Sequence, residues 1–87
     1  MAESRRVRVF LNGEWFATVQ AESAELALEQ TNVLGVAAFG DQVIVYVDDF
    51  FWDVRPSGGA PRLEPIAADD PRVRGLYGKA VRAERGA

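Results

Sequence analysis

Asp48, Asp49 and Asp53 are the densest group of chemistry-bearing side chains in the sequence, set in the run Asp48-Asp49-Phe50-Phe51-Trp52-Asp53. Carboxylates at this density could hold Ca²⁺ or Mg²⁺ through oxygen ligands. Two observations argue against such a site. Adjacent aspartates in a strand point apart, and no glycine-containing calcium loop surrounds them. The two aspartates read better as a turn, with the three aromatics filling a core. They also read as part of a contact surface, because side chains alternate along a strand. If Phe51 points inward, Phe50 and Trp52 point the other way, and aromatics concentrate at the centres of interfaces.

The rest of the catalytic inventory is thin. The chain has no His and no Cys, and Lys79 is its only lysine. It therefore lacks the usual general base at neutral pH, a thiol nucleophile and the commonest zinc ligands, and it can form no disulfide. The three Ser, two Thr and two Tyr have no base to activate them. Gly58-Gly59 lacks a following Lys-Ser or Lys-Thr and is no phosphate loop. Paired carboxylates alone could cleave a glycoside, but that needs a deep cleft, which 87 residues can hardly supply. The expectation is no enzyme, no catalytic residues, no cofactor and no bound metal.

Apolar residues make up 48% of the chain and charged residues 26%, the proportions of one small globular domain. The net charge of −3 disfavours general affinity for nucleic acid or anionic membrane. No apolar run is long enough to span a bilayer, and Met1-Ala2-Glu3-Ser4-Arg5-Arg6 has no signal-peptide core, so a cytoplasmic, non-membrane protein is expected. The charge is uneven. Residues 1–55 carry four Arg against nine Asp or Glu, a net of −5, and residues 56–87 carry a net of +2. All four prolines and the Gly-Gly pair fall in the second part. We read 1–55 as a folded α+β body, 56–70 as a Pro/Gly-rich connector of little structure, and 71–87 as a basic amphipathic helix or tail.

Within the body, Val7, Val9 and Leu11 alternate with Arg6, Arg8 and Phe10, and Asn12-Gly13 then signals a type I′ hairpin. A two-residue loop pairs Phe10 with Trp15, Val9 with Phe16 and Arg8 with Ala17. One face then carries Val7, Val9, Leu11 and Phe16; the other carries Phe10, Trp15, Ala17 and Val19 beside Arg6 and Arg8. Neither is plainly polar, so something beyond one helix must cover the hairpin. Ser23 is the expected N-cap of a helix whose inner face is Ala24, Ala27, Leu28 and Thr31, extended by Leu34 and stopped at Gly35. The phrase Val19-x-Ala21-x-Ser23-x-x-x-Ala27-Leu28 resembles strand-to-helix junctions of small α/β proteins, among them type II antitoxins of the HicB kind. Those place the helix after three strands, and two are evident here, so the resemblance implies capping and packing and no family. Val36-Ala37-Ala38-Phe39 leads toward Gln42–Val47, a central strand buried on both sides, and Phe50–Arg55 forms a further strand. The expected fold is a small antiparallel sheet of four or five strands, in β-β-α-β-β order, with one helix packed on it and a C-terminal helix after the connector.

In that last helix Asp70 can cap, Pro71 suits the first position, and Val73, Leu76, Tyr77, Ala80 and Val81 recur at helical spacing. Gly75 and Gly78 weaken it by about 1 kcal/mol each relative to Ala, so it needs a surface to fold on. That surface is its own acidic body, another protein or, least favoured by charge, nucleic acid. A non-catalytic protein-interaction module follows as the leading expectation: an accessory subunit, adaptor or small inhibitor, homo-oligomeric or bound to another protein. Its contacts would come from Phe10, Trp15, Phe50 and Trp52, with Leu76, Tyr77 and Val81 in support. In this reading Trp15, Phe10 and Trp52 form one patch, and Arg8 can lie over the Trp15 indole. The alternative is an antitoxin-like regulator linked to nucleic acid through Arg5, Arg6, Arg8 and the tail.

Overall fold

A computed structural model describes residues 3–55 and 61–86. Strands β1 (Arg5–Leu11), β2 (Glu14–Ala21), β3 (Val43–Val47), β4 (Phe50–Arg55) and β5 (Arg62–Ile66) form one antiparallel sheet in the order β2-β1-β3-β4-β5. Helices α1 (Ala24–Thr31) and α2 (Val33–Val36) follow β2, and a 3₁₀ turn (Pro71–Val73) leads to α3 (Leu76–Gly86). The small α+β fold with a C-terminal helix is the one the sequence implies.

The hairpin turns where expected, with Asn12 and Gly13 at φ of 52° and 80°. Its register differs beyond the turn. Phe10 pairs with Trp15, but Val9 pairs with Ala17 and Arg8 with Thr18, so Phe16 is the extra residue of a β-bulge. The bulge shifts every later side chain of β2 to the opposite face from the one expected. Val19 now shares a face with Val7, and Thr18 lies beside Arg8.

Each face of the sheet buries its own core. On the first, Val7, Val9, Val43, Val45, Val47 and Val54 lie under Ala24, Ala27, Leu28 and Val33 of α1 and α2. On the second, Phe10, Ile44 and Ile66 lie under Val73, Leu76 and Ala80. The C-terminal segment is thus the missing cover for the hairpin, and it comes from the same chain.

Three boundaries depart from expectation. Ser23 caps α1 by accepting the Leu26 amide at 3.2 Å, but α1 ends at Asn32, whose φ of 56° breaks the axis before Gly35. Leu34 consequently turns outward instead of extending the buried stripe. Residues 62–66 of the expected connector form β5, with Leu63 packing on one core and Ile66 in the other; Pro65 is accommodated because β5 is an edge strand. Residues 56–60 of that connector lie outside the described residues. Finally, Asp70 and Pro71 start the 3₁₀ turn, and Gly75 at φ 78° separates it from α3.

The β3–β4 hairpin turns on Asp48 and Asp49, both left-handed at φ 55° and 68°. A type I′ turn demands this conformation, which glycine adopts without a Cβ clash. Asp49→Gly should therefore raise the free energy of unfolding by about 0.5–1 kcal/mol, after allowance for the added freedom of the unfolded chain. Urea denaturation of the two proteins measures the difference, and a lower midpoint for the variant would refute the strain argument.

Candidate protein-binding surface

The residues singled out from the sequence are divided between the two faces. Phe10 and Leu76 are 1% and 2% exposed in the second core, so neither can meet a partner while α3 is docked. Trp15 packs on the same core, its indole N–H donating to Thr18 Oγ1 at 2.9 Å. Trp52 packs on the first core instead. The register explains the separation: Phe10 pairs with Ile44 and Ile44 with Asp53, which leaves Trp52, opposite Val45, on the other side of the sheet. The single patch of Phe10, Trp15 and Trp52 is not formed. Phe50 is exposed beside the β3–β4 turn, and Val81 is partly buried on α3. Tyr77 meets Tyr46 edge-on at 5.5 Å, and the Arg8 guanidinium lies 5.2 Å from the Tyr77 ring centroid, not over Trp15.

Arg8 is engaged as an anchor for α3. Its Nε and one terminal nitrogen donate to the Glu84 carboxylate at 2.8 and 3.1 Å, and the Thr18 hydroxyl donates to the same carboxylate at 2.6 Å. These bonds, Arg8 first, hold the Glu84 carboxyl below its usual range. Lys79 reaches back to the Gly13 carbonyl at 2.7 Å and to Glu14 at 3.2 Å. Arg5 pairs with Asp48 at 2.9 Å. The cations expected to suit nucleic acid are thus partly spent inside the chain.

The three clustered carboxylates are not brought together as ligands. Asp53 is buried and faces Arg72 and Arg55 at 3.3 and 3.4 Å. Among the described residues no three Asp or Glu side chains are grouped closely enough to hold a metal ion, and no helix is long and apolar enough to cross a membrane.

A further group of exposed apolar side chains lies elsewhere, on α2 and in the loop after it. Leu34, Val36 and Phe39 are 40%, 57% and 108% exposed. Phe39 stands on a turn braced from both sides. Asp41 accepts the Ala38 amide at 2.8 Å, and Ala38 accepts the Asp41 amide at 3.0 Å. Asn12 of the first hairpin exchanges hydrogen bonds with Gln42 at 2.8 and 3.0 Å. The Ala38 amide and then Asn12 hold the Asp41 carboxyl below its usual range. Beside Phe39 lies an open groove of about 450 Å³ floored by Val43 and Val54. A second groove of about 340 Å³ lies at the other end of α1, between Ala24, Glu25, Trp52 and Leu63. The Trp52 indole N–H is buried there without a hydrogen-bond partner among the described residues.

The two grooves lie on the α1 face of the sheet. Five strands about 4.8 Å apart make a face roughly 20 Å wide, and a helix about 10 Å across covers half of it. On this face α1 lies against β2 and β1. The half over β4 and β5 carries Val54, Trp52, Leu63 and Pro65 by register and has no helix among the described residues; Val54 is nonetheless buried, Trp52 and Leu63 are half-buried, and Pro65 is exposed. The chain matches no protein-family model, no curated protein and no solved structure. Its surface must therefore be read from its own geometry. Sequence reasoning passed over Phe39 because Val36–Phe39 reads as an apolar approach to the buried strand β3. The available signal was the Gly40-Asp41 pair, which interrupts that run and turns it back toward solvent.

Proposed function

We propose that this protein is a non-catalytic protein-interaction module whose contact surface is centred on Phe39, with the exposed Leu34 and Val36 and the groove beside them. The observation that carries the reading is Phe39, a wholly exposed aromatic on a turn fixed by four hydrogen bonds beside an apolar groove. A rigid aromatic loses little side-chain freedom on binding, which is what interface anchors require. The antitoxin-like alternative is weaker, since Arg5, Arg8 and Lys79 are already bonded to groups of the same chain.

Phe39→Ser tests the surface more cleanly than truncating Trp52, which would also strip packing from the first core. The variant should change unfolding free energy by no more than about 0.5 kcal/mol. A photo-crosslinking residue at position 39 should give a discrete protein adduct in the expressing cell, whereas one at the exposed Arg85 should not. Equal labelling at both positions, or no adduct at 39, would reject this surface.

A further inference from the structure

We infer that the free edge of β2 docks an extended segment of another protein, which adds to the sheet as a further strand and sets an acidic side chain against Arg6. This site lies apart from the Phe39 surface and does not depend on it. The two edges of the sheet, β2 and β5, are unequal. Hydrogen bonding alternates along antiparallel strands, and the Asn12 amide donates to the Gln42 carbonyl at 2.8 Å. Even-numbered residues of β1 therefore bond toward β3, and odd-numbered ones toward β2. Carried through the register to β5, the same alternation leaves Leu63 and Pro65 facing away from β4. Pro65 has no N–H, so this five-residue edge is blunted.

The other edge has no such protection at its C-terminal end. The eight residues of β2 contain no Pro, Lys or Arg, and the bulge at Phe16 lies before the regular stretch 17–21. Val19 and Ala21 pair with Val7 and Arg5 and bond inward, so Thr18 and Gln20 turn their amides and carbonyls outward. None of these four groups has a hydrogen-bond partner among the described residues. The flanking side chains set the chemistry of the added strand. On the α1 face it meets Phe16 and Val19, half-buried against the first core, which suit apolar residues at alternate positions. On the α3 face Arg6, Thr18, Gln20 and Glu84 line an open cavity of about 400 Å³. Glu84 already accepts from Arg8 and Thr18, whereas Arg6 is exposed and forms no ion pair among the described residues. A carboxylate on the added strand would meet it. A second copy of this chain does not fit. Helices α1 and α3 each pack against β2 more than against any other strand, on opposite faces. Two β2 edges paired about 4.8 Å apart would bring like helices inside the roughly 8–10 Å at which helices pack, and a lone strand carries no helix.

The experiment uses the full chain and fluorescein-labelled peptides of about eight residues in which Val alternates with Thr, one central Thr being replaced by Asp or by Lys. Fluorescence anisotropy should give saturable one-to-one binding of the Asp peptide, with the Lys peptide about threefold weaker and the order reversed by Arg6→Glu. Gln20→Pro removes one outward donor and should weaken the Asp peptide about tenfold. N-methylation of alternate peptide nitrogens should abolish binding in one phase and spare it in the other, since only one set faces β2; this holds even if Gln20→Pro unfolds the chain. Phe39→Ser should leave these affinities unchanged, and a loss there would move the peptide to the Phe39 surface and overturn the edge. Binding that ignores both Gln20→Pro and the methylation phase is adhesion without strand addition and overturns the inference, as does failure of both peptides. Equal affinity for the Asp and Lys peptides overturns the acidic partner. A dimer, seen by sedimentation, that Gln20→Pro dissociates without unfolding would give the edge to a second copy and overturn the separate partner.

Discussion

Leu76→Ala is expected to lower the free energy of unfolding by about 3 kcal/mol, within the range for truncating a fully buried leucine. Leu76 is 2% exposed and belongs to the same cluster as Phe10, Ile44 and Ile66. Alanine there removes transfer free energy and leaves a void that a sheet on one side and a helix on the other cannot readily close. The loss is large against the roughly 4–13 kcal/mol expected for a chain of this size. It also reaches beyond the void. Gly78 lies within α3 and Gly75 immediately before it, so the helix has weak propensity of its own and depends on this contact to stay formed. Amide exchange in α3 should accelerate more than in β3, and the variant should bind a hydrophobic dye through the uncovered Phe10 face. Urea denaturation measures the total. A cost below about 1 kcal/mol would mean that α3 is not what closes the second core.

That closure was half legible in the sequence. The hairpin composition showed that neither face of β1 and β2 could be left wet, and the spacing of Val73, Leu76 and Ala80 showed a helix in need of a surface. What joins the two is the pairing of Arg8 with Glu84, 76 residues apart, and no local pattern announces it. Other features were hidden for similar reasons. The bulge at Phe16 is a one-residue shift that leaves the alternating pattern intact on either side. The short edge strand β5 puts Leu63 and Ile66 on opposite faces, so it shows no apolar stripe, and Pro65 within it and Pro61 before it resemble a linker. The candidate surface depended on Asn32. Its left-handed turn breaks α1 early and sends Leu34 outward, and an asparagine followed by Val-Leu gives no firm sign of a break. By contrast Asn12-Gly13, the Ser23 cap and the Val-rich strand β3 are set by local chemistry and appeared where expected.

Glu84→Gln should destabilise the protein by about 1–3 kcal/mol at pH 7 and flatten its response to acid. The Arg8 and Glu84 side chains are 11% and 26% exposed, so the pair is largely but not fully withdrawn from water. Glutamine keeps the shape and can still accept from Arg8 or Thr18, yet it leaves the guanidinium without a counter-charge. That is the costly half of breaking a buried pair, reduced here because Glu84 remains partly hydrated. The pH dependence has a definite sign. Hydrogen bonds from Arg8 and then Thr18, with Arg6 adding positive potential, hold the folded Glu84 carboxyl below the value of an unfolded glutamate, about 4.3. Its contribution is therefore complete above that value and is lost as pH falls through the lower, folded pKa. Arg8 stays charged throughout, its own pKa raised by the hydrogen bond to Glu84. Denaturation midpoints for the original chain and the variant should thus begin to converge as pH falls below about 4.3. Some acid sensitivity should persist in the variant, since Asp70 and Asp41 are also lowered, chiefly by Arg72 and by the Ala38 amide. A gap between the two proteins that stays constant down to pH 3 would show that the Glu84 carboxylate does not fasten α3. The double replacement Arg8→Leu with Glu84→Leu separates charge from packing: it should recover most of the loss, because nothing charged is then left unpaired under the helix.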